Sequence, residues 1–158
     1  MITNEYYTCL VETYIDTVYR IALSMTGKVC DAEDITQNTF LALLQNKKGF
    51  ESEAHLKHWL IRVTVNGCKK LFRSPWRSSC SLDEIPISFQ SPEHSDLFDA
   101  LKALPLKYKA PIYLYYYEGY STAEIAKILK IPKGTVCTHL DRGRQMLKHS
   151  LQEVENDE

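Results

Sequence analysis

Residues Tyr120 to Lys148 read YSTAEIAKILKIPKGTVCTHLDRGRQMLK, and the fold is decided by how this stretch divides. Ser121 suits a helix N-cap, and Glu124 three residues later completes a capping box. Ala123, Ile125, Ala126, Ile128 and Leu129 recur at helical spacing and supply a stripe to bury. Ile131-Pro132 stops this helix after Lys130, and Lys133-Gly134 is expected to keep the turn tight, with a second helix beginning near Thr135. On that helix Val136, Leu140, Gly143 and Leu147 share one face, and Gly143 admits a closely packed partner helix. The opposite face carries Cys137, Thr138, Asp141, Arg142 and Gln145, mostly short polar side chains of a size to reach base edges in a major groove. Two helices, a short turn and a polar outer face on the second describe a helix-turn-helix. An ordinary helical hairpin in a larger core has the same two stripes, so the rest of the chain must decide.

The 158 residues allow one ordinary domain or two small ones. A net charge of −1 hides a strong segregation. Residues 1–46 hold two basic and six acidic side chains, and 47–77 hold eight and two. Residues 78–100 hold no basic and five acidic ones, and 101–149 hold nine and three. Two basic blocks flank an acidic one, which points to two anion-binding surfaces on one chain. No apolar run approaches the ~20 residues that span a bilayer, and MITNEYYTCL lacks the basic-then-apolar pattern of a signal peptide, so a cytoplasmic protein is expected. Cys9, Cys30, Cys68, Cys80 and Cys137 form no CxxC pair and are odd in number, which reads as reduced thiols. No nucleophile elbow, phosphate loop or dinucleotide turn occurs, so no enzyme is expected.

Taken in order, residues 4–26 read as a long amphipathic helix ended by Gly27. A second helix, DAEDITQNTFLALLQN, is expected from residue 31, capped by Asp31, with Ile35, Phe40 and Leu43 buried. Asp34, Gln37, Asn38 and Leu41 lie on another face, open to a partner. A third helix, HLKHWLIRVTVNGCKKLFR, spans about His55 to Arg73. Its outer side holds Arg62, Asn66, Lys69, Lys70 and Arg73. Trp59 among them offers an aromatic surface on which an unpaired base can stack, although by itself the pattern favours a core tryptophan. His55 and His58 have no third partner for a metal. Residues 74–94, rich in Ser and Pro and without helical period, read as an extended or disordered linker. Helices are expected over Asp96–Leu104 and Lys107–Tyr117, with Tyr113, Tyr115, Tyr116 and Tyr117 as packing residues and the tail QEVENDE frayed. The expectation is an all-α chain of two small helical domains, 1–73 and 95–158, joined by a flexible linker, the second containing the helix-turn-helix.

With these segments in place, the chain resembles the bacterial sigma factors of the extracytoplasmic-function (ECF) group along nearly its whole length. DAEDITQNTFLALL resembles their polymerase-binding segment, HLKHWLIRVTVNGCKKLFR the segment that reads and melts the −10 element, and residues 101–148 the domain that reads the −35 element. The resemblance implies a dissociable, non-catalytic specificity subunit that needs no metal or other cofactor. Its partners would be the clamp helices and flap of core RNA polymerase, promoter DNA and an anti-sigma factor, with no membrane insertion of its own.

By the same resemblance, Asp31, Asp34, Gln37, Asn38 and Leu41 would bind the core polymerase. Trp59, Arg62, Asn66, Lys69, Lys70 and Arg73 would serve the −10 element, and an extruded base would enter a pocket near residues 48–54. Lys133, Thr135, Cys137, Thr138, His139, Asp141 and Arg142 would serve the −35 element. The linker would thread the RNA exit path. Several positions depart from the family pattern. Cys137 and His139 stand where relatives often carry basic residues, Lys130 where glycine is usual, and Asn38 where an acidic residue is common. Asp141 in the reading face can accept from a cytosine amino group and gains nothing from phosphate, which is expected to narrow specificity. A competing reading is a freestanding dimeric helix-turn-helix regulator, for which the chain lacks a self-complementary apolar stripe. A further alternative, an adaptor that binds only protein, leaves both basic blocks without a task.

Overall fold

Helix ends organise the first half of the molecule. In a computed structural model that describes residues 3–74 and 95–156, Thr3 Oγ1 accepts the Tyr6 N–H at 3.2 Å and opens α1, Asn4–Thr26. Gly27 closes it at φ 73°, a left-handed conformation that glycine adopts without steric cost, with its N–H donating to the Leu23 carbonyl. α2 runs Val29–Gln45 and α3 Glu53–Arg73, the latter capped by Ser52 Oγ accepting from the His55 N–H at 3.1 Å. Leu10, Val18, Phe40, Leu43, Leu56 and Leu60 meet between these helices, with Tyr7, Val11, Tyr14, Phe50 and Trp59 packed on the cluster. Each such aliphatic side chain contributes roughly 1.5–3 kcal/mol on burial. Two polar ties fix the register: Tyr7 Oη donates to the Phe40 carbonyl at 2.8 Å, and the buried Thr39 and Thr64 hydroxyls meet at 3.5 Å.

The second compact unit contains α4 (Ser95–Ala103), α5 (Leu106–Tyr116), α6 (Thr122–Leu129) and α7 (Lys133–Asn156). α5 is its central element, buried from Tyr108 through Leu114 with Pro111 in its interior. Lys109 is buried within it, and its Nζ donates to the Lys102 carbonyl at 3.1 Å, satisfying an end group of α4. Ser121 Oγ accepts from the Glu124 N–H at 3.1 Å, so the capping position read from sequence is the one used. Val136, Leu140 and Leu147 of α7 are buried with Ile125 and Ile128 of α6. All regular structure among the described residues is helical, in two helical units.

Several expectations need correction. α2 begins two residues early, at Val29, so Asp31 is inside its first turn, while Lys28 occupies the N-cap with no side-chain bond. α7 begins at Lys133, making Lys133 and Gly134 its first turn and confining the turn itself to Lys130–Pro132. α7 continues to Asn156, through much of the tail expected to fray. Of the adjacent tyrosines only Tyr113 is core; Tyr115, Tyr116 and Tyr117 are exposed. Cys9 and Cys137 are free thiols, whereas Cys30 belongs to a disulfide, against the expectation of five reduced cysteines. The expectations for Cys80 and for an extended linker over residues 75–94 lie outside the described residues.

Candidate nucleic-acid interface

Two basic helix faces, one in each unit, hold most of the residues singled out from sequence. On α3, Asn66, Lys70 and Arg73 are exposed and Arg62 and Lys69 half-buried, one stripe at helical spacing. Trp59, at the head of this stripe, is half-buried on the core cluster and meets Phe50 edge-on, ring centroids 5.4 Å apart at 65°. Its ring is therefore committed to packing and supports the preceding loop.

That loop is internally built. Asn46 Oδ1 accepts from the Lys48 N–H at 2.8 Å, the Glu51 N–H donates to His55 Nδ1 at 3.1 Å, and Phe50 also packs edge-on against His55 at 5.5 Å. Beside it opens a cavity of about 430 Å³ whose lining includes Tyr6, Asn46, Lys47, Lys48, Phe50 and Ser52. The cavity overlaps the loop in which the family resemblance implies a base pocket. Tyr6 is the residue that sequence reasoning missed here. It is 53% exposed on α1, some forty residues away in the chain, and helical periodicity offers no signal for such a contact.

On α2, Asp34, Gln37, Asn38 and Leu41 are all exposed, and Leu44 extends the same surface, Leu41 and Leu44 each at 49% exposure. Asp31 is different. It is 1% exposed, and neither carboxylate oxygen has a hydrogen-bond partner. As folded, it is out of reach of a partner surface, so the expected polymerase contact is withdrawn from this residue.

On α7, Lys133, Cys137, Thr138, Asp141 and Arg142 are exposed, and Thr135 and His139 half-buried. His139 turns toward α5, meeting the Tyr108 ring edge-on at 5.4 Å. Thr138 Oγ1 donates to the Gly134 carbonyl at 3.0 Å, which leaves its oxygen as an acceptor. Gly143 explains how α5 comes close: a Cβ there would lie 2.2 Å from Ile112 Cδ1 and 3.4 Å from Tyr108 Cβ. The row Tyr108, Ile112, Tyr116 on α5 thus runs beside Arg142, Gly143, Arg144 on α7. The Arg142 guanidinium beside its hydroxyl holds the Tyr108 phenol below the ordinary tyrosine range, against the opposing effect of burial. Arg144, absent from the sequence-based site, donates from Nε to Tyr116 Oη at 2.6 Å and from Nη1 to Asp141 Oδ1 at 3.2 Å. Its guanidinium carbon lies 5.6 Å from the ring centroids of both Tyr115 and Tyr116. The Tyr116 hydroxyl, followed by the charge of Asp141, holds Arg144 more firmly protonated than usual.

Among the described residues no helix is long and apolar enough to cross a membrane, and no three His, Cys, Asp or Glu side chains group to hold a metal ion.

Two family models place this arrangement in the sigma-70 class. The model for Sigma-70 region 2 matches residues 10–78, and that for Sigma-70, region 4 matches residues 94–147. SigW of Bacillus subtilis, an ECF RNA polymerase sigma factor, is 30% identical over 166 residues, covering 92% of this chain and 88% of SigW. SigE of Mycolicibacterium smegmatis, another ECF sigma factor, is 32% identical over 155 residues and covers 90% of this chain, which spans 60% of that relative's length. The chain belongs to the ECF RNA polymerase sigma factors. Two solved structures share the fold. One is the sigma factor RpoE in complex with the anti-sigma factor NepR from Bartonella quintana, at a TM-score of 0.73 and 23% identity, covering 92% of this chain and 96% of RpoE. The other is CnrH in complex with the cytosolic domain of CnrY, at 0.72 and 22%, covering 96% and 90%.

Proposed function

We propose that this protein is a promoter-specificity subunit that binds core RNA polymerase, directs it to promoters with two spaced elements and promotes DNA opening, with no catalytic step of its own. Residues 1–73 serve the polymerase and the −10 element, 95–158 the −35 element, and 74–94 connect them. Asp34, Gln37, Asn38 and Leu41 on α2 form the polymerase-facing surface, and the flap of the polymerase engages the second unit. The observation that carries the reading is the prebuilt cavity at the head of a basic helix face: Lys47, Lys48, Arg62, Lys69, Lys70 and Arg73 neutralise phosphates, while the cavity receives one extruded base. A base taken out of the stack has lost its pair, so capturing it favours the open duplex. Trp59 acts by holding Phe50 and the loop in place. On α7, Lys133, Thr135, Cys137, Thr138, His139, Asp141 and Arg142 lie on or beside the face that enters the upstream major groove. RpoE and CnrH are each seen with a protein partner, and an anti-sigma factor covering the exposed Leu41 and Leu44 surface fits this chain as well. Such a protein works in the cytoplasm.

Transcription in vitro from a pooled promoter library, with purified protein and core polymerase, tests this. The expected result is discrete transcript starts sharing two spaced elements, absent without the protein. No new starts, together with tight binding of the protein alone to a two-fold symmetric duplex, would replace this reading with that of a freestanding dimeric regulator.

A further inference from the structure

We infer that Tyr116 is a positioning residue for promoter specificity: through Arg144 it fixes the carboxylate of Asp141 on the reading face of α7, where the second carboxylate oxygen accepts from the amino group of a cytosine. The inference rests on the proposed reading of the upstream element by α7.

An aspartate on a surface that approaches phosphates is repelled by them, so Asp141 needs a compensating cation and a fixed orientation to contribute anything. Arg144 supplies both. Its Nη1 engages Asp141 Oδ1 at 3.2 Å, and no hydrogen bond within the described residues engages Oδ2. An isolated i, i+3 ion pair at this exposure has little preference for one geometry, since the long arginine side chain reorients in water. Here the arginine is not isolated. Its Nε is held by Tyr116 Oη at 2.6 Å, and its guanidinium carbon lies 5.6 Å from the centroids of the Tyr115 and Tyr116 rings, themselves edge-on at 5.0 Å. Tyr116 in turn stands on α5, whose position beside α7 is set by the Ile112–Gly143 contact. The chain of contacts runs from the last residue of α5, through a hydroxyl and a guanidinium, to one carboxylate oxygen.

The chemistry of what is read follows from the acceptor. A carboxylate in the major groove accepts from cytosine N4 or adenine N6, and it is a poor neighbour for the acceptors of guanine and for thymine O4. Adenine pairs its donor with the N7 acceptor beside it, which a carboxylate repels, so cytosine is favoured. Arg144 has two of its five donors engaged inside the protein, and the role assigned to it is to hold Asp141.

The test is the base profile of the upstream element, measured by transcription from the promoter pool with the full chain and core polymerase. Wild-type protein is expected to prefer cytosine at one upstream position by about fivefold or more. Asp141→Ala should abolish that preference. Tyr116→Phe, which keeps the ring and removes the hydroxyl, should reduce it at the same position and nowhere else, and the double variant should match Asp141→Ala alone. Selection at the downstream element reports that each variant is folded and bound to polymerase. An unchanged profile for Tyr116→Phe, or a uniform fall in output from all promoters, would overturn the positioning role. If Asp141→Ala leaves the profile unchanged while Thr138→Ala or Arg142→Ala alters it, Asp141 reads nothing although α7 does. If none of these variants alters upstream selection, the α7 reading itself fails.

Discussion

Lys130 shows what a single residue contributes to the turn before α7. It adopts φ 55°, ψ 47°, and is the one non-glycine residue with positive φ among those described. The family resemblance puts glycine at this position. The turn forms all the same: the Ile131 N–H donates to the Ala126 carbonyl at 3.1 Å, and strain is accepted at Lys130. A left-handed L-residue costs about 1–2 kcal/mol, and glycine returns roughly half of that through a freer unfolded chain. Lys130→Gly is therefore expected to stabilise the protein by about 0.5–1 kcal/mol, read as a higher denaturation midpoint at unchanged m-value. Asp31 is the opposite case, a buried carboxylate without partners at the α2 N-terminus. The neutral isostere leaves an unpaired amide in the same site, so it sheds only the additional cost of burying a charge and forfeits part of the favourable dipole contribution. Asp31→Asn should raise stability by about 1 kcal/mol and leave affinity for core polymerase unchanged, whereas Asp34→Ala should weaken it. A competitive binding assay separates the two.

At the scale of the elements, the α5–α7 contact governs the second unit. Gly143→Ala places a methyl group against Ile112 Cδ1, and overpacking of this kind costs about 1–3 kcal/mol. Ile112→Val in the same chain shortens the opposing side chain and should recover part of the loss, measured by thermal unfolding of the double variant against the singles. The same contact marks where sequence reading succeeds and where it stops. Local periodicity named Val136, Leu140, Gly143 and Leu147 as one face, because helical geometry is fixed by the backbone. It also found the Ser121 cap and the exposed α2 residues, which depend on neighbours a few positions apart. It missed Tyr6 at the cavity and the Tyr116–Arg144 bond, which join residues far apart in the chain, and no spacing rule encodes such a pairing. The misplaced start of α2 has a similar origin. Asp31 has the chemistry of a cap, but burial placed it inside the helix, with Lys28 at the cap position.

Over the whole molecule, charge is arranged by unit rather than by total. A net charge of −1 gives no hint of nucleic-acid binding, yet both units carry a basic helix face. Each phosphate contact made by such a face adds close to one unit to the slope of log affinity against log salt. Lys70→Ala is expected to lower that slope by about one for promoter binding by the assembled polymerase, with equal loss on all promoters. Filter binding between low and moderate salt measures it, and a sequence-dependent loss would contradict a phosphate role. The close approach of α5 to α7 at Gly143 has a consequence for anyone wishing to exchange specificities between such proteins. A recognition helix transplanted alone would carry its own residue at position 143 into a groove cut for a glycine, and would leave its arginines without the tyrosines that aim them. The portable unit is the block from Leu106 to Lys148, and promoter preference should travel with that block and be blurred by anything smaller.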